Sequence, residues 1–181
     1  MRATRLLTVA VLAGVTLTSL LPRAEANYFG PVDGCCEYAD NAEHTVYYEI
    51  VGNQSYRDAF DHIVGHLDNA TVMTTKKVDT KTSATDVRMI ADYVGGSGFH
   101  GEWDCTALNS AGECETAKLT LNRGSLDGAG QHNKDKVACH EMGHSVGLDH
   151  AYQISSCMEQ GLDGPPRFFA DHDKTHINNH Y

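Results

Sequence analysis

Residues 140–150 of the chain read His140-Glu141-Met142-Gly143-His144-Ser145-Val146-Gly147-Leu148-Asp149-His150. Residues four apart in a helix lie on one face, so His140 and His144 can present their imidazoles to one point. Glu141 is the next residue round the helix and can reach a water molecule held at that point. Gly147 can adopt left-handed backbone angles, which end a helix and turn the chain. This turn can bring His150 back as a third ligand.

Three histidine ligands at this spacing predict a zinc site. A tetrahedral Zn²⁺ with three protein ligands keeps one position open, which is the catalytic rather than the structural arrangement. A histidine pair with an intervening glutamate is a modest signal, but the glycine and the third histidine make it far more specific. The competing interpretation is a buried helix whose histidines are only hydrogen-bonded. We predict one Zn²⁺ on His140, His144 and His150, with Glu141 as the catalytic base.

The pattern H-E-x-x-H-x-x-G-x-x-H resembles the zinc signature of the metzincin peptidases. Metzincins also have a methionine turn shortly after the third histidine, and Ser156-Cys157-Met158 lies at a suitable distance. The resemblance implies that Met158 forms an apolar base beneath the metal without binding it. The chain is most similar to matrixins and small secreted bacterial metzincins. Snapalysins have an aspartate in place of His150, and astacins have a tyrosine ligand where this chain has Gln160.

The resemblance implies a secreted zinc-dependent endopeptidase that hydrolyses peptide bonds through a zinc-activated water with Glu141 as general base. Its partner would be a protein or peptide substrate, and we expect a monomer. The alternative is a secreted, catalytically inactive zinc-containing module that binds peptides or proteins. The intact Glu141 and the complete set of ligands argue against that alternative. Zinc is the one cofactor that the motif requires, and the sequence neither supports nor excludes calcium.

The start of the 181-residue chain has the pattern of a secretory signal peptide. Residues 1–26 combine a basic start, an apolar run over 6–21 and the cleavage-site sequence Ala24-Glu25-Ala26. The apolar run is short for a membrane span, and no later hydrophobic stretch follows it. We therefore predict a signal peptide over 1–26 and a metzincin-type catalytic domain over 27–181, which is secreted and extracellular.

Acidic residues outnumber basic ones in this sequence. The formal net charge is -10 at pH 7, and cleavage would also remove Arg2, Arg5 and Arg23. An acidic surface argues against nucleic acids and anionic membranes as partners of the mature protein.

The six cysteines predict disulfides, because an exported chain with an even number of cysteines commonly pairs them. Cys139 directly precedes the first histidine and Cys157 directly precedes Met158. If the metal site assembles, these two backbones approach one another, and small secreted metzincins look similar here. A bridge between Cys139 and Cys157 is therefore suspected.

The other four cysteines leave alternatives open. Cys105 and Cys114 flank a turn-rich loop and would pair naturally. Cys35 and Cys36 would then form a strained vicinal bridge with each other, or one or both reach the Cys105/Cys114 region. Gly34-Cys35-Cys36 could also mimic the zinc-blocking cysteine of matrixin propeptides, but the surrounding motif does not match, so an ordinary disulfide is favoured.

Residue patterns along the rest of the chain predict alternating strands and helices. Runs rich in β-branched and aromatic residues indicate strands over 44–51, 71–78, 86–94, 99–106 and 117–122. Helices are indicated over 56–67 with Ser55 as N-cap, over 131–146, and from Asp171 as a cap to 181. Residues 124–130 are rich in turn formers. The strand over 86–94 has little polar alternation, so we expect it inside the sheet.

This order of elements resembles the upper subdomain of metzincins. The resemblance implies an α/β (α+β) fold with a twisted mixed sheet, a substrate-binding helix and an active-site helix. A small C-terminal subdomain would carry the Met turn and the final helix. The strand over 99–106 is our candidate for a sheet edge that pairs with an extended substrate. Residues 161–167 would line the pocket for the residue after the cut bond, and Phe168 and Phe169 are interpreted as core rather than as its wall.

Two other helices carry histidines at the same spacing. His62 and His66 are four apart in the helix over 56–67, and His172, His176 and His180 follow one another at four-residue intervals in the last helix. Neither set has the accompanying glutamate and third ligand of the motif. We interpret them as solvated or core-edge histidines, with a second metal site as the alternative.

Overall fold

The computed structural model describes residues 37–95, 98–152, 155–162 and 166–181. The predicted signal peptide over 1–26 lies outside the described residues, as do Cys35, Cys36 and the cysteine pattern around them.

The described residues form a mixed α/β fold, which confirms the predicted fold class. Its elements are β1 (Glu43–Ile50), α1 (Gln54–Ala70), β2 (Thr74–Val78), β3 (Val87–Asp92), β4 (Gly101–Leu108), β5 (Cys114–Asn122), α2 (Arg123–Leu126), α3 (Gln131–Ser145) and α4 (Asp171–His180). Among these residues no helix is long and apolar enough to cross a membrane.

The strands form one sheet in the order β2-β1-β3-β5-β4. The pairs β1–β2, β1–β3 and β3–β5 are parallel, and β4 runs antiparallel to β5 at the edge. The prediction that the strand over 86–94 lies inside the sheet is therefore confirmed, as is the prediction of an edge strand starting near residue 99. An interior parallel strand is covered on both faces, and accordingly Val87, Met89 and Ala91 on one face of β3 are buried and so is Ile90 on the other.

Helices α1 and α3 pack against each other and hold the core against the sheet. The apolar stripe of α1 is fully buried and consists of Tyr56, Ala59, Phe60, Ile63 and Leu67. Helix α3 also packs on β4 and β5. The residues at the end of α3 therefore lie next to the edge of the sheet.

Several predicted boundaries are wrong by a few residues for identifiable reasons. The N-cap of α1 is Asn53, whose Oδ1 accepts from the Ser55 N–H at 3.0 Å, and not Ser55 itself. Strand β2 begins at Thr74 because Thr71 closes α1, its hydroxyl donating to Leu67 O at 2.7 Å.

The turn-rich stretch over 124–130 begins with the short helix α2. The Asn122 side chain accepts from the Gly124 N–H at 3.0 Å and so starts this helix. The predicted cap of the last helix is also wrong, since α4 follows Ala170 and the Asp173 carboxylate accepts the Ala170 N–H at 2.8 Å. Both differences arise because side-chain caps are chosen by local geometry among several polar residues in a row.

Two disulfides join the described cysteines: Cys139–Cys157 is the suspected pair, and Cys105–Cys114 is one of the alternatives that the sequence left open. Cys105–Cys114 connects β4 to the start of β5. Cys139–Cys157 connects α3 to the segment that precedes α4. The second bridge therefore ties the helix of the histidine motif to the turn that contains Met158.

Candidate metal centre

The histidine motif occupies the last turns of α3 and the bend that follows. Gly147 has φ 87°, a left-handed value that glycine adopts without steric cost. The Leu148 N–H donates to Gly143 O at 3.0 Å across this bend, and the Gly147 N–H donates to His144 O at 3.1 Å. The predicted turn at Gly147 is therefore confirmed, and it returns the chain so that His150 faces α3.

The three predicted ligands converge. His140, His144 and His150 each offer one ligand atom, and these atoms all lie within 4.8 Å of one another. Their ring centroids are 4.7 to 5.1 Å apart. Within the part of the chain that the structure describes, this is the one cluster of three or more such groups that could hold a metal ion.

Backbone carbonyls set the tautomers of the two helical histidines. Nδ1 of His140 lies 2.9 Å from Cys157 O, and Nδ1 of His144 lies 2.7 Å from Leu148 O. A carbonyl oxygen can only accept, so each Nδ1 carries the proton and Nε2 is the nitrogen that the ring presents to a metal. Metal-binding histidines are held in this way in proteins, so the donor set fits a divalent ion that prefers imidazole.

The third histidine has a side-chain partner instead. Nδ1 of His150 lies 3.2 Å from the Gln160 amide and 3.7 Å from Asp149 Oδ1. Metal binding through Nε2 requires a proton on Nδ1, so we expect the oxygen of the Gln160 amide to accept it. In the sequence Gln160 stands out only as a departure from the astacin pattern, whereas the fold places it beside His150.

Burial keeps these imidazoles neutral. It lowers the pKa of His144 to about 4 and the pKa of His140 well below its ordinary value, and the neighbouring histidines add to both shifts. Burial also lowers the pKa of His150. Neutral imidazole is the form that binds metals, so near neutral pH the cluster needs no deprotonation before it can bind one.

Glu141 lies beside the cluster and is also buried. Burial raises its pKa to about 8, while the charge of Lys136 and the backbone N–H of Trp103 oppose the shift. A divalent cation on the three histidines would favour the ionised carboxylate. The protonation state of Glu141 would therefore depend on whether a cation occupies the three histidines.

Met158 packs against α3 between the first two histidines. Its side chain is fully buried, and a Cβ added to Gly143 would overlap its sulfur atom and lie 3.1 Å from Phe169 Cε1. The glycine inside the motif is therefore required by the approach of the Met turn. Sequence reasoning missed this role, although a glycine in the middle of a helix is itself a signal because it lowers helix stability.

Hydrogen bonds of Ser156 fix the turn that contains Met158. The Ser156 hydroxyl accepts the Met158 N–H at 3.0 Å and donates to the fully buried Asp173 carboxylate of α4. The Ala151 N–H donates to Met158 O at 3.0 Å. Together with the Cys139–Cys157 disulfide, these bonds fix the backbone at Met158, whose side chain packs against Gly143 of α3.

The histidines and Glu141 line two adjoining cavities. A cavity of about 500 Å³ extends along β4 and is bordered by Glu37, Glu102 and Asp104. A cavity of about 320 Å³ extends to the other side, between the start of β4 and the segment after Met158. Gly101 borders both, and a Cβ there would lie 2.5 Å from Glu141 Oε1, so glycine allows the edge strand to run directly past the carboxylate.

The other spaced histidines have different surroundings. Nε2 of His62 lies 3.1 Å from Arg167 O, and Nε2 of His66 accepts the Phe169 N–H at 3.1 Å. Phe169 is core, as predicted, but Phe168 is 41% exposed and contacts the rings of both histidines. The core assignment of Phe168 is therefore wrong, because these imidazoles cover only part of its ring.

The last helix also differs from α3. Nε2 of His172 lies 3.0 Å from Nε2 of His176. The ring of His180 stacks on Tyr38 with centroids 3.8 Å apart. These three histidines are not among the groups of the described chain that could share a metal ion.

Comparison of the chain with models of known protein families finds no match, and comparison with curated proteins finds no relative.

Proposed function

We propose that the protein is a secreted zinc metalloendopeptidase of the metzincin type. The observation that carries this proposal is the convergence of His140, His144 and His150 beside the buried Glu141, in a cleft bordered by the edge strand β4. Zinc is the ion that we assign, because three imidazoles with a carboxylate nearby are its usual catalytic surroundings. The turn at Gly147 and the buried Met158 support the family assignment.

Each part of the site would have a separate role in hydrolysis. When bound, zinc would supply a Lewis acid that polarises the substrate carbonyl and lowers the pKa of water. Glu141 takes the proton of the attacking water and returns it to the leaving amine. Its burial favours this exchange, since the carboxyl group has a pKa of about 8 without the cation and becomes more acidic beside it.

The edge strand would position the substrate. Among the described strands β4 has a neighbour on one side only, so its other edge can pair with the backbone of an extended peptide. The cavities on either side of Glu141 would then receive the side chains that flank the scissile bond. The predicted signal peptide would export the enzyme, and the oxidising surroundings outside the cell would preserve its disulfides. There it would act as a monomer on protein or peptide substrates.

The test is to compare the wild-type protein with Glu141→Ala and Glu141→Gln. We expect the wild type to bind one zinc ion per chain and to hydrolyse casein, and chelators to abolish hydrolysis. Both variants should fold and retain zinc but lose activity by about 10³-fold, which is the contribution of a positioned general base.

Each other outcome has a distinct meaning. Retained turnover in the variants would remove Glu141 from its role. Zinc binding without hydrolysis of any protein would favour the inactive peptide-binding module. A wild-type protein that binds no metal would contradict both functions.

A further inference from the structure

Lys136 lies one helical turn before His140 on the same face of α3. Its side chain is only 2% exposed, although the residue carries a charge. Nζ donates to Glu159 O and to Gly161 O, each at 2.5 Å. The ammonium group therefore sits between the helix and the segment that follows the Met turn.

Among the residues that the structure describes, this buried cation has no carboxylate partner. Among the described residues no acidic side chain forms an ion pair with Lys136, and the two carbonyls account for two of its three N–H donors. Burial lowers its pKa to about 8, and the more distant charges of Glu141 and Glu159 oppose the shift. A buried charge is costly unless it is paired, so the absence of an anion requires an explanation.

Lys136 lines the smaller of the two cavities beside the metal centre. His100 lines the same cavity, and its Nδ1 is buried with no hydrogen-bond partner among the described residues. Phe99, Val137 and Leu162 supply apolar walls. Apart from Glu141, no carboxylate of the described residues lines this cavity, whereas three others border the larger one.

We propose that the smaller cavity is a subsite for an acidic substrate side chain, glutamate or aspartate, next to the scissile bond, and that Lys136 recognises its carboxylate. The proposal rests on the proposed peptidase function and adds a substrate class to it. The substrate carboxylate would be the anionic partner of Lys136. It would accept a charge-assisted hydrogen bond from the remaining N–H donor of the ammonium group. The apolar walls would enclose the methylene groups of the side chain.

The competing role for Lys136 is purely structural. By holding two carbonyls, it could serve only to anchor the segment containing Glu159 and Gly161 to α3. That role would affect stability and all substrates equally. The proposed role instead predicts discrimination between an acid and its amide, which have almost the same shape.

The experiment uses the zinc-loaded full protein and fluorogenic peptides that differ only at the two positions flanking the scissile bond, with Glu, Gln or Leu there. At one of the two positions we expect kcat/KM for Glu to exceed that for Gln by about 10- to 100-fold, the penalty range for leaving a buried polar group unpaired. In Lys136→Met this preference for Glu over Gln should disappear, and kcat/KM for the Leu peptide should exceed kcat/KM for the Glu peptide.

Lys134→Met is the matched control. Lys134 is also a buried lysine of α3 that donates to a backbone carbonyl, Ala129 O at 2.6 Å, but it does not line the cavity. This variant should keep the preference for Glu whatever it costs in stability. Affinities of Glu141→Gln protein for the same peptides, measured by calorimetry, should show the same order without catalysis.

The outcomes separate the two proposals. If no peptide is hydrolysed and none binds, the peptidase function fails. If peptides are hydrolysed but the wild type does not prefer Glu over Gln at either position, the acidic subsite is overturned and the peptidase function stands. That second result needs only the wild type, so it holds even if Lys136→Met does not fold. A Glu preference that Lys136→Met retains would also overturn the role of Lys136.

Discussion

Helices α3 and α4 carry histidines at the same four-residue spacing, yet only α3 contributes to a cluster that could hold a metal among the described residues. After α3 the chain turns at Gly147 and supplies His150 as a third imidazole. In α4 the third histidine of the series, His180, stacks on Tyr38 instead. The comparison teaches that helical spacing places two ligands, whereas the path of the chain beyond the helix decides whether there is a third.

Helices α3 and α1 also differ in which ring nitrogen of their histidines the backbone binds. In α3 backbone carbonyls occupy Nδ1 of both histidines and direct Nε2 toward the shared point. In α1 the Nε2 atoms of His62 and His66 are themselves engaged by the backbone of residues 167 and 169. The same residue type thus presents Nε2 to a shared point in one helix and is bound to the backbone through Nε2 in another, according to which nitrogen the backbone occupies.

The largest expected effect is a loss of zinc affinity when one imidazole is removed from α3, and removal of one imidazole from α4 is the control. His144→Ala should weaken zinc binding on the order of 10³-fold, because it removes one of three ligands. His176→Ala should leave zinc affinity unchanged. Competition with a chromophoric chelator measures both affinities, and an equal loss in the two variants would show that α4 also binds the metal.

Lowering the pH should destabilise the protein through protonation of His44, a buried histidine outside the cluster of three. His44 is buried with Nε2 3.0 Å from Ser145 Oγ, and burial lowers its pKa to about 4. Unfolded histidine titrates near 6.5, so the unfolded chain binds the proton first as the pH falls. Stability is therefore fully present above about pH 6.5 and declines toward pH 4, by up to ~3 kcal/mol from this residue.

Urea unfolding of the chelator-treated protein between pH 7 and pH 4 measures this decline. Chelation removes metal release from the comparison, and His44→Gln isolates the contribution of one residue. The variant should lose less stability on acidification than the wild type. Equal pH dependence in the two proteins would mean that His44 is not the group that titrates.

Two mid-helix glycines provide the next test. Gly143→Ala should destabilise the protein by roughly 1–3 kcal/mol, because the added methyl group displaces Met158 and overpacks the site. Gly65→Ala in α1 is the control, since its Cβ would meet only Asn69 Nδ2 at 4.0 Å. There the gain in helix propensity should stabilise the protein by up to about 1 kcal/mol. Thermal unfolding compares the two, and a tolerated Gly143→Ala would contradict tight packing of the Met turn.

The smallest expected effect concerns the third ligand. Gln160→Ala removes the side chain that lies 3.2 Å from Nδ1 of His150 and should weaken zinc binding by about 10-fold, as loss of such a partner commonly does. Gln160→Glu, which keeps an acceptor, should restore the affinity. An unchanged affinity in Gln160→Ala would show that the bend at Gly147 alone positions His150.

Much of the fold could be predicted because its signals are short-range. The period of 3.6 in α1 reflects its one buried face, and the largely apolar sequence of β3 reflects its interior place in the sheet. The alternation in β5 predicts a strand, but Thr120 and Asn122 are buried as well as its leucines because β5 lies inside the sheet. Element ends were less predictable. At the starts of α1 and α4 several polar residues compete to cap, and the choice of Asn53 or Asp173 depends on the backbone angles of the neighbouring turn.

By itself the sequence determined the convergence of the three histidines, the place of Glu141 beside them and the turn at Gly147, because each follows from helix geometry. It only led to a suspected Cys139–Cys157 pair, because these cysteines adjoin His140 and Met158. Only the tertiary structure decided that Gln160 meets His150, that Gly143 receives Met158 and that Lys136 borders a cavity without a carboxylate partner. These contacts join segments separated by loops, and no periodicity within one element records which side chain of another will lie against it.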